Sequence, residues 1–499
     1  MFELTETTLA NEAANLEAEL RALKDAVAVE GAAILSRLED DTPLEGAYRQ
    51  RVENLCHYLA LRRHDIRPLQ RRLMVLGLSS LGRLESRVMP TLEATLNALS
   101  AINGTSTEKQ PYDSALFFAG ETALIQAADE LFGAPRASRR GRIMVTMPST
   151  AADDTNFVSD LVARGMDIAR INCAHDDKEC WNKIAENVRA AANAAGRPVK
   201  ILMDIAGPKI RTEDVLMQKK ARLKRGDLLR LVAEGEPHLA DDVKASARAS
   251  LPEIVTRLEL GHRIRYDDGK LEGEAIATGQ NEVIVKVTHA KAGGVKLKPE
   301  KGLNLPDTAL GLSPLTSKDK SDLEAVSVIA DMIGYSFVSE PKDIPLLDEA
   351  LAEIGYLGAP LGLVAKIEQP QALRNLPALI LEARRQNRPF AVMIARGDLA
   401  AEIGFERLAE MQEEILWICE AASIPVIWAT QVLEDLVKTG LPSRGEMTDA
   451  AMASRAECVM LNKGPAVGEA VTLLDTLLAR MDGHVFKKTP TLRALHTWE

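Results

Sequence analysis

A chain of 499 residues exceeds a single ordinary domain, and its apolar (46%) and charged (27%) shares are those of a globular protein. The net charge of −11 argues against nucleic acid or an anionic membrane surface as a partner. Five scattered cysteines without a CxxC, an acidic start unlike a signal peptide, and no apolar run of membrane-spanning length point to the cytoplasm.

Residues 1–140 read as a helical N-terminal extension. Thr5–Leu38 is rich in Ala, Leu and Glu at helical spacing. The pattern resumes over Leu44–Leu99, with breaks expected near Pro68 and Pro90. A linker, Ile102–Pro111, and a short helix, Ser114–Phe132, follow. An arginine-rich stretch (Arg62, Arg63, Arg67, Arg71, Arg72) reads as a solvated helix face.

From Arg142 onward, strands alternate with helices, which predicts a parallel sheet. Eight strands are expected: Arg142–Met147, Asp167–Ile171, Val199–Met203, Met332–Phe337, Gly362–Ala365, Ala391–Ile394, Pro425–Ala429 and Cys458–Leu461. Thr316-Ser-Lys-Asp319 has the form of a capping box, and Leu408, Met411, Ile415, Cys419 and Ala422 form an apolar helical stripe. Residues 213–305 interrupt the alternation with short strands such as His262–Tyr266 and Glu282–Val287 and a turn at Asp267-Asp268-Gly269, as an inserted small β-barrel would. What remains, 141–212 and 306–485, is about 250 residues with eight strands, the size of a (β/α)8 barrel. Residues 486–499 read as a C-terminal tail, and a doubly wound open sheet is the alternative architecture.

Lys366, Glu368, Asp398 and Thr430 all fall at strand C-termini, where a barrel keeps its active site. If their strands are neighbours, Glu368 and Asp398 converge, and two carboxylates suit Mg2+, with Mn2+ as an alternative. Lys366 beside them places a fixed positive charge for a phosphoryl group or an enolate.

Seven motifs in order resemble those of pyruvate kinases over about residues 141–480. They are Ala169-Arg170-Ile-Asn172-Cys-Ala-His175, Met203-Asp204-Ile-Ala-Gly207-Pro208-Lys-Ile-Arg211-Thr212, Lys301-Gly302-Leu-Asn304-Leu-Pro306 and Tyr335-Ser336-Phe337-Val338. Lys366-Ile-Glu368, Ala395-Arg-Gly-Asp-Leu399 and Ala429-Thr430-Gln431 complete the set. The resemblance implies phosphoryl transfer from phosphoenolpyruvate to ADP. In it Glu368 and Asp398 hold Mg2+, Lys366 and Arg170 neutralise the moving phosphoryl group, and Gly397 offers backbone amides to the substrate carboxylate. Thr430 binds that carboxylate or relays a proton, while Asn172, His175, Arg211 and Lys301 meet the nucleotide. It also implies a homo-oligomer.

Several positions depart from the family pattern. The usual monovalent-cation ligands are an Asn, a Ser, an Asp and a Thr; here Asn172 and Asp204 remain, but Ala174 and Ile205 offer no side-chain oxygen. Lys209 stands where K+-dependent members carry a glutamate, so activity without K+ is expected. Leu461-Asn-Lys-Gly-Pro-Ala466 replaces a Ser-Gly-Glu-Thr-Ala run, and Glu300 precedes Lys301 where two basic residues are common. No equivalent of the family's C-terminal regulatory domain is expected. Two other readings stand beside phosphoryl transfer: a Mg2+-dependent enolpyruvate aldolase, and a non-enzymatic relative acting through its N-terminal helices.

Overall fold

The computed structural model describes residues 9–494 except 40–43, 45, 106–112, 240–241, 268 and 309–310. Asp268 of the expected turn, most of the expected linker and the end of the tail therefore lie outside the described residues.

Eight parallel strands close into a barrel: β1 Arg142–Thr146, β2 Ile168–Asn172, β3 Lys200–Asp204, β4 Met332–Tyr335, β5 Gly362–Ile367, β6 Phe390–Ala395, β7 Val426–Ala429 and β8 Cys458–Leu461. Closure comes from β8 pairing with β1, so the open-sheet alternative falls. Near-continuous apolar sequence makes these strands, because both faces are covered. The inward-facing set includes Met144, Ile168, Leu202, Met332, Met393, Ile427 and Met460, all buried. The Thr316–Asp319 capping box is formed and opens the helix Ser317–Ile329. Met411, Ile415 and Cys419 bury one face of the helix Phe405–Ala421.

Four helices, α1 Leu9–Leu38, α2 Gly46–Leu61, α3 Arg67–Val75 and α4 Val88–Ile102, open the described chain, followed by α5 Ser114–Phe117 and α6 Ala119–Phe132. The breaks expected near the two prolines fall just before them, between α2 and α3 and between α3 and α4. Pro68 and Pro90 are the second and third residues of α3 and α4, where a missing N–H leaves no hydrogen bond unmade. The arginine-rich stretch is largely spoken for by acids: Arg63 faces Glu30, Arg67 faces Asp65, and Arg72 faces Glu12 and Glu19. Ala128, Leu131 and Phe132 of α6 join the apolar cluster inside the barrel. Asn54 of α2 ties the extension down, donating to Glu85 O at 2.7 Å and Ala421 O at 2.8 Å and accepting from Val88 N at 2.9 Å.

The insert follows β3 as one seven-stranded sheet with its own apolar core. The ladder order of its named strands is open. The edge strands, Thr212–Met217 and Leu303–Asn304, meet at their ends, where Arg211 bridges Gly302 and where Thr212 N, Glu300 N and Leu303 N donate to Lys301 O, Thr212 O and Ile210 O at 2.9, 2.7 and 2.9 Å. The residues read as a tail begin in a small hairpin, Val485–Phe486 with Thr489–Pro490.

Candidate active site

The side chains at the C-terminal ends of β2, β3, β4 and β5 meet around Asp204. Each follows an apolar strand; the parallel register sets Asp204 level with Asn172 of β2 and Gly334 of β4, with Arg170 two residues before Asn172 on the same face of β2. Asp204, 2% exposed, accepts from Arg170 Nε at 2.9 Å and lies 3.2 Å from Lys366 Nζ. Arg170 Nη2 also contacts it, and Nη1 donates to Thr146 Oγ1 at 3.0 Å. Arg170 is thus braced from one side, leaving its remaining N–H donors for an anion.

Lys366 sits 2.8 Å from Glu368 Oε1 and donates to Ser336 Oγ at 2.7 Å. The other Glu368 oxygen accepts from Phe337 N at 2.8 Å. Burial works against charge on Lys366, but Asp204 and Glu368 outweigh it and push its pKa up. Asp204 is likewise opposed by burial, yet Lys366 and Arg170 hold its pKa below the ordinary range. Glu368 goes the other way. Burial first, and then the like charge of Asp398, raise its pKa against the pull of Lys366. Two carboxylates that repel each other in a buried site offer hard oxygen donors whose strain a divalent cation relieves, so the residues fit Mg2+.

Asp398 lies one strand over, in the first turn of the helix Arg396–Ile403. Its Oδ1 accepts from Lys209 Nζ at 2.7 Å. Gly397 N donates to Thr430 Oγ1 at 2.8 Å. Gly397 lacks the left-handed φ of a tight turn, and a Cβ there would meet Thr430 Oγ1 at an ordinary 3.6 Å. Thr430 itself has φ 65°, a costly conformation for a β-branched residue. Arg396, pinned by Asp449, donates to the carbonyls of Ala429 and Thr430 and holds that strand end in place.

The residues expected to meet a nucleotide are more dispersed. Asn172 accepts from Ala174 N at 3.1 Å, within its own loop. Arg211 donates to Glu300 O at 3.1 Å, and Lys301 Nζ lies 3.4 Å from Asp267 Oδ1, both in the stem of the insert. His175 stays neutral more readily than usual, through burial and then the charges of Lys463, Arg211 and Arg170. Ile205 is buried with its carbonyl accepting from Ser336 Oγ at 2.8 Å, and its side chain offers no oxygen.

Sequence reasoning treated Asp204 only as a cation-site remnant and gave Ser336 and Thr146 no role. A buried aspartate after the run Ile201-Leu-Met203 was the available signal for the first; the hydroxyls carried none. It also missed Glu402. Asn304 Nδ2 of the insert donates to Glu402 Oε1 at 2.9 Å, and Arg265 donates to Ala401 O at 2.6 Å. Burial, with the Asp398 charge, pushes the Glu402 carboxyl up to about 7. The insert is therefore docked on the last turn of the helix whose first turn carries Gly397 and Asp398.

Residues 138–471 match the family model described as the pyruvate kinase barrel domain. The pyruvate kinase of Methylorubrum extorquens is 34% identical over 338 residues, 67% of this chain and 66% of that one. That of Mycobacterium tuberculosis is 32% identical, covering 66% of this chain and 67% of its own. The crystal structure of a pyruvate kinase from Cryptosporidium parvum superposes with a TM-score of 0.61 at 27% identity, covering 72% of this chain and 73% of that one. The chain thus spans about two thirds of the length of the curated relatives it matches. With the model covering most of the chain and the barrel closed as described, the protein belongs to the pyruvate kinase family.

Proposed function

We propose that the protein transfers the phosphoryl group of phosphoenolpyruvate to ADP, giving pyruvate and ATP, with Mg2+ as cofactor and without need of K+. The observation that carries this reading is the buried cluster of Lys366, Glu368, Asp204 and Arg170 at the barrel mouth. Glu368 and Asp398 would hold the Mg2+, which supplies positive charge to substrate oxygens when bound.

The chain's own groups then have distinct tasks. Phosphoryl transfer is mainly positioning and electrostatics. Arg170, braced by Asp204 and Thr146, presents its free N–H donors to the phosphoryl oxygens. Lys366, kept protonated by two acids, neutralises charge as the bond from phosphorus to the enol oxygen breaks and the bond to the ADP β-phosphate forms. The Asp398 amide, at a helix start, favours the substrate carboxylate, and the Gly397 amide joins it on release from Thr430 Oγ1. Thr430 Oγ1 accepts from Gly397 N, so its own proton points away from that bond and can join a relay to the enolate carbon.

Independence from K+ is supported by the absence of side-chain oxygen at Ala174 and Ile205 and by the Lys209 ammonium 2.7 Å from Asp398. A coupled assay with phosphoenolpyruvate, ADP and Mg2+, run with and without K+, tests both claims. Turnover at equal rates is expected; no pyruvate formed sinks the transfer reading, and an absolute K+ requirement sinks the second part alone. Lys366→Met should lower kcat by about a thousandfold with an unchanged circular dichroism spectrum.

A further inference from the structure

The chain leaves β7 through a strained stretch, in which Thr430, Gln431 and Leu433 hold φ of 65°, 55° and 48°. None is a glycine, and the left-handed region is costliest for a β-branched threonine, so the surroundings must impose the conformation. The side chain of Arg396 does this. Its Nε donates to Ala429 O at 3.1 Å, and Nη2 donates to Thr430 O at 2.5 Å. Nη1 and Nη2 also donate to the two Asp449 oxygens at 2.5 and 2.9 Å, and the guanidinium lies 4.9 Å from the centre of the Trp428 ring. Asp449 belongs to the helix Arg444–Ala453, whose first turn is closed by a capping box between Ser443 and Glu446. Four of the five N–H donors of Arg396 are thus engaged by the protein, and the residue is 7% exposed. It is placed to hold the site, not to touch a substrate.

The backbone of Arg396 begins the helix that carries Gly397 and Asp398. Its side chain crosses to the neighbouring strand, where Ala395 stands opposite Ala429. One residue therefore joins the helix of the proposed metal ligand to the strand end from which Thr430 Oγ1 reaches Gly397 N. A lysine here would keep the charge but lose the planar fork, leaving a carbonyl without its donor. The stretch would then relax toward extended backbone and carry the Thr430 hydroxyl away from the helix start.

We propose that Arg396 is the positioning residue for Thr430, and that the step it serves is protonation of the enolate carbon. The inference rests on the enolpyruvate chemistry of the proposed function. In that step the enolate electron pair takes up a proton to form the methyl C–H bond, and the enolate oxygen becomes the ketone of pyruvate. The relay through Thr430 Oγ1 regains its proton from water. The test follows deuterium entering the methyl group of pyruvate in D2O by NMR, with Mg2+ and inorganic phosphate, which can fill the phosphoryl site but has no group to transfer. Arg396→Lys should slow this exchange by about thirtyfold, while the KM for ADP in steady-state assays stays within about twofold. Asp449→Asn, which leaves both carbonyls their donor, should slow it by a smaller factor. In a Thr430→Val background Arg396→Lys should slow exchange by less than about twofold, because the group it acts through is already gone. If the melting curve shows that Arg396→Lys does not fold, Asp449→Asn carries the same comparison. Unchanged exchange overturns the proposal, as does a full further loss in the Thr430→Val background or an equal worsening of every kinetic constant. A wild type that makes pyruvate yet exchanges no methyl proton overturns it too. If the wild type neither makes pyruvate nor exchanges a proton, the transfer reading falls and the proposal with it. Exchange that depends on Arg396 in a protein that makes no pyruvate from phosphoenolpyruvate removes the transfer reading and leaves the positioning role standing.

Discussion

Gly397 shows how a single residue can be needed for a ligand rather than for the fold. Its backbone is helical, and a methyl would meet only Thr430, at ordinary contact distances. Gly397→Ala should therefore keep or raise the melting temperature, since glycine within a helix costs roughly 0.5–1 kcal/mol relative to alanine. The same methyl would occupy the space above the helix start where the substrate carboxylate is proposed to lie. A raised KM for phosphoenolpyruvate with an undiminished melting temperature is the expected pair of results. A variant that loses stability would show the glycine to be structural. Lys366, Glu368 and Asp398 were legible in the sequence because each ends an apolar strand. The partners that set their charge were legible only in part, since Ser336 and Phe337 N reach them across neighbouring strands.

Two junctions between elements hold groups with displaced pKa values. Asn304 joins the insert to Glu402, and Asn304→Ala should loosen that docking, raising the KM for ADP several-fold and speeding proteolysis within 213–305 while the barrel stays intact. Uniform proteolysis of the whole chain would speak against a separate docking point. At the other junction, Glu420 is pushed up to about 8 by burial and then by Glu85, against Lys487 and Lys488. Its ordinary value is 4.5, so the folded protein holds this proton more tightly than the unfolded chain does. The stability it contributes is complete below about pH 4.5 and lost as pH rises through about 8. Glu420→Gln should thus melt higher than wild type at pH 9 and no higher at pH 4.5. A pH-independent difference would show that the carboxyl does not titrate in this way. Helix starts were readable where chemistry is local, as in the Thr316 box. The breaks near Pro68 and Pro90 were equally local, each proline sitting in the first turn of a new helix, where its missing N–H leaves no bond unmade.

At the scale of the molecule, the extension and the barrel share one apolar interior. Phe132, 1% exposed, packs with Met332 and Met460 inside the barrel cluster. Phe132→Ala should cost about 3–5 kcal/mol and lower the melting of the barrel itself, followed by tryptophan fluorescence of buried Trp181 and Trp428. If only a minor early transition moved, the extension would be an independent unit. No helix among the described residues is long and apolar enough to cross a membrane.

The amino-acid sequence alone determined the alternation of strands and helices, the position of the insert and the strand-end residues of the site. Those signals are local: apolar runs, period, caps and motif spacing. Tertiary structure alone decided that the barrel closes, how the insert's sheet orders its strands, and that α6 joins the barrel interior. It also decided that Asp204 is the hub beneath Arg170 and Lys366, and that Lys209 reaches Asp398. Each of these depends on which strands become neighbours and how far a long side chain must reach to satisfy a buried charge. Neither quantity is written in any one segment of the chain.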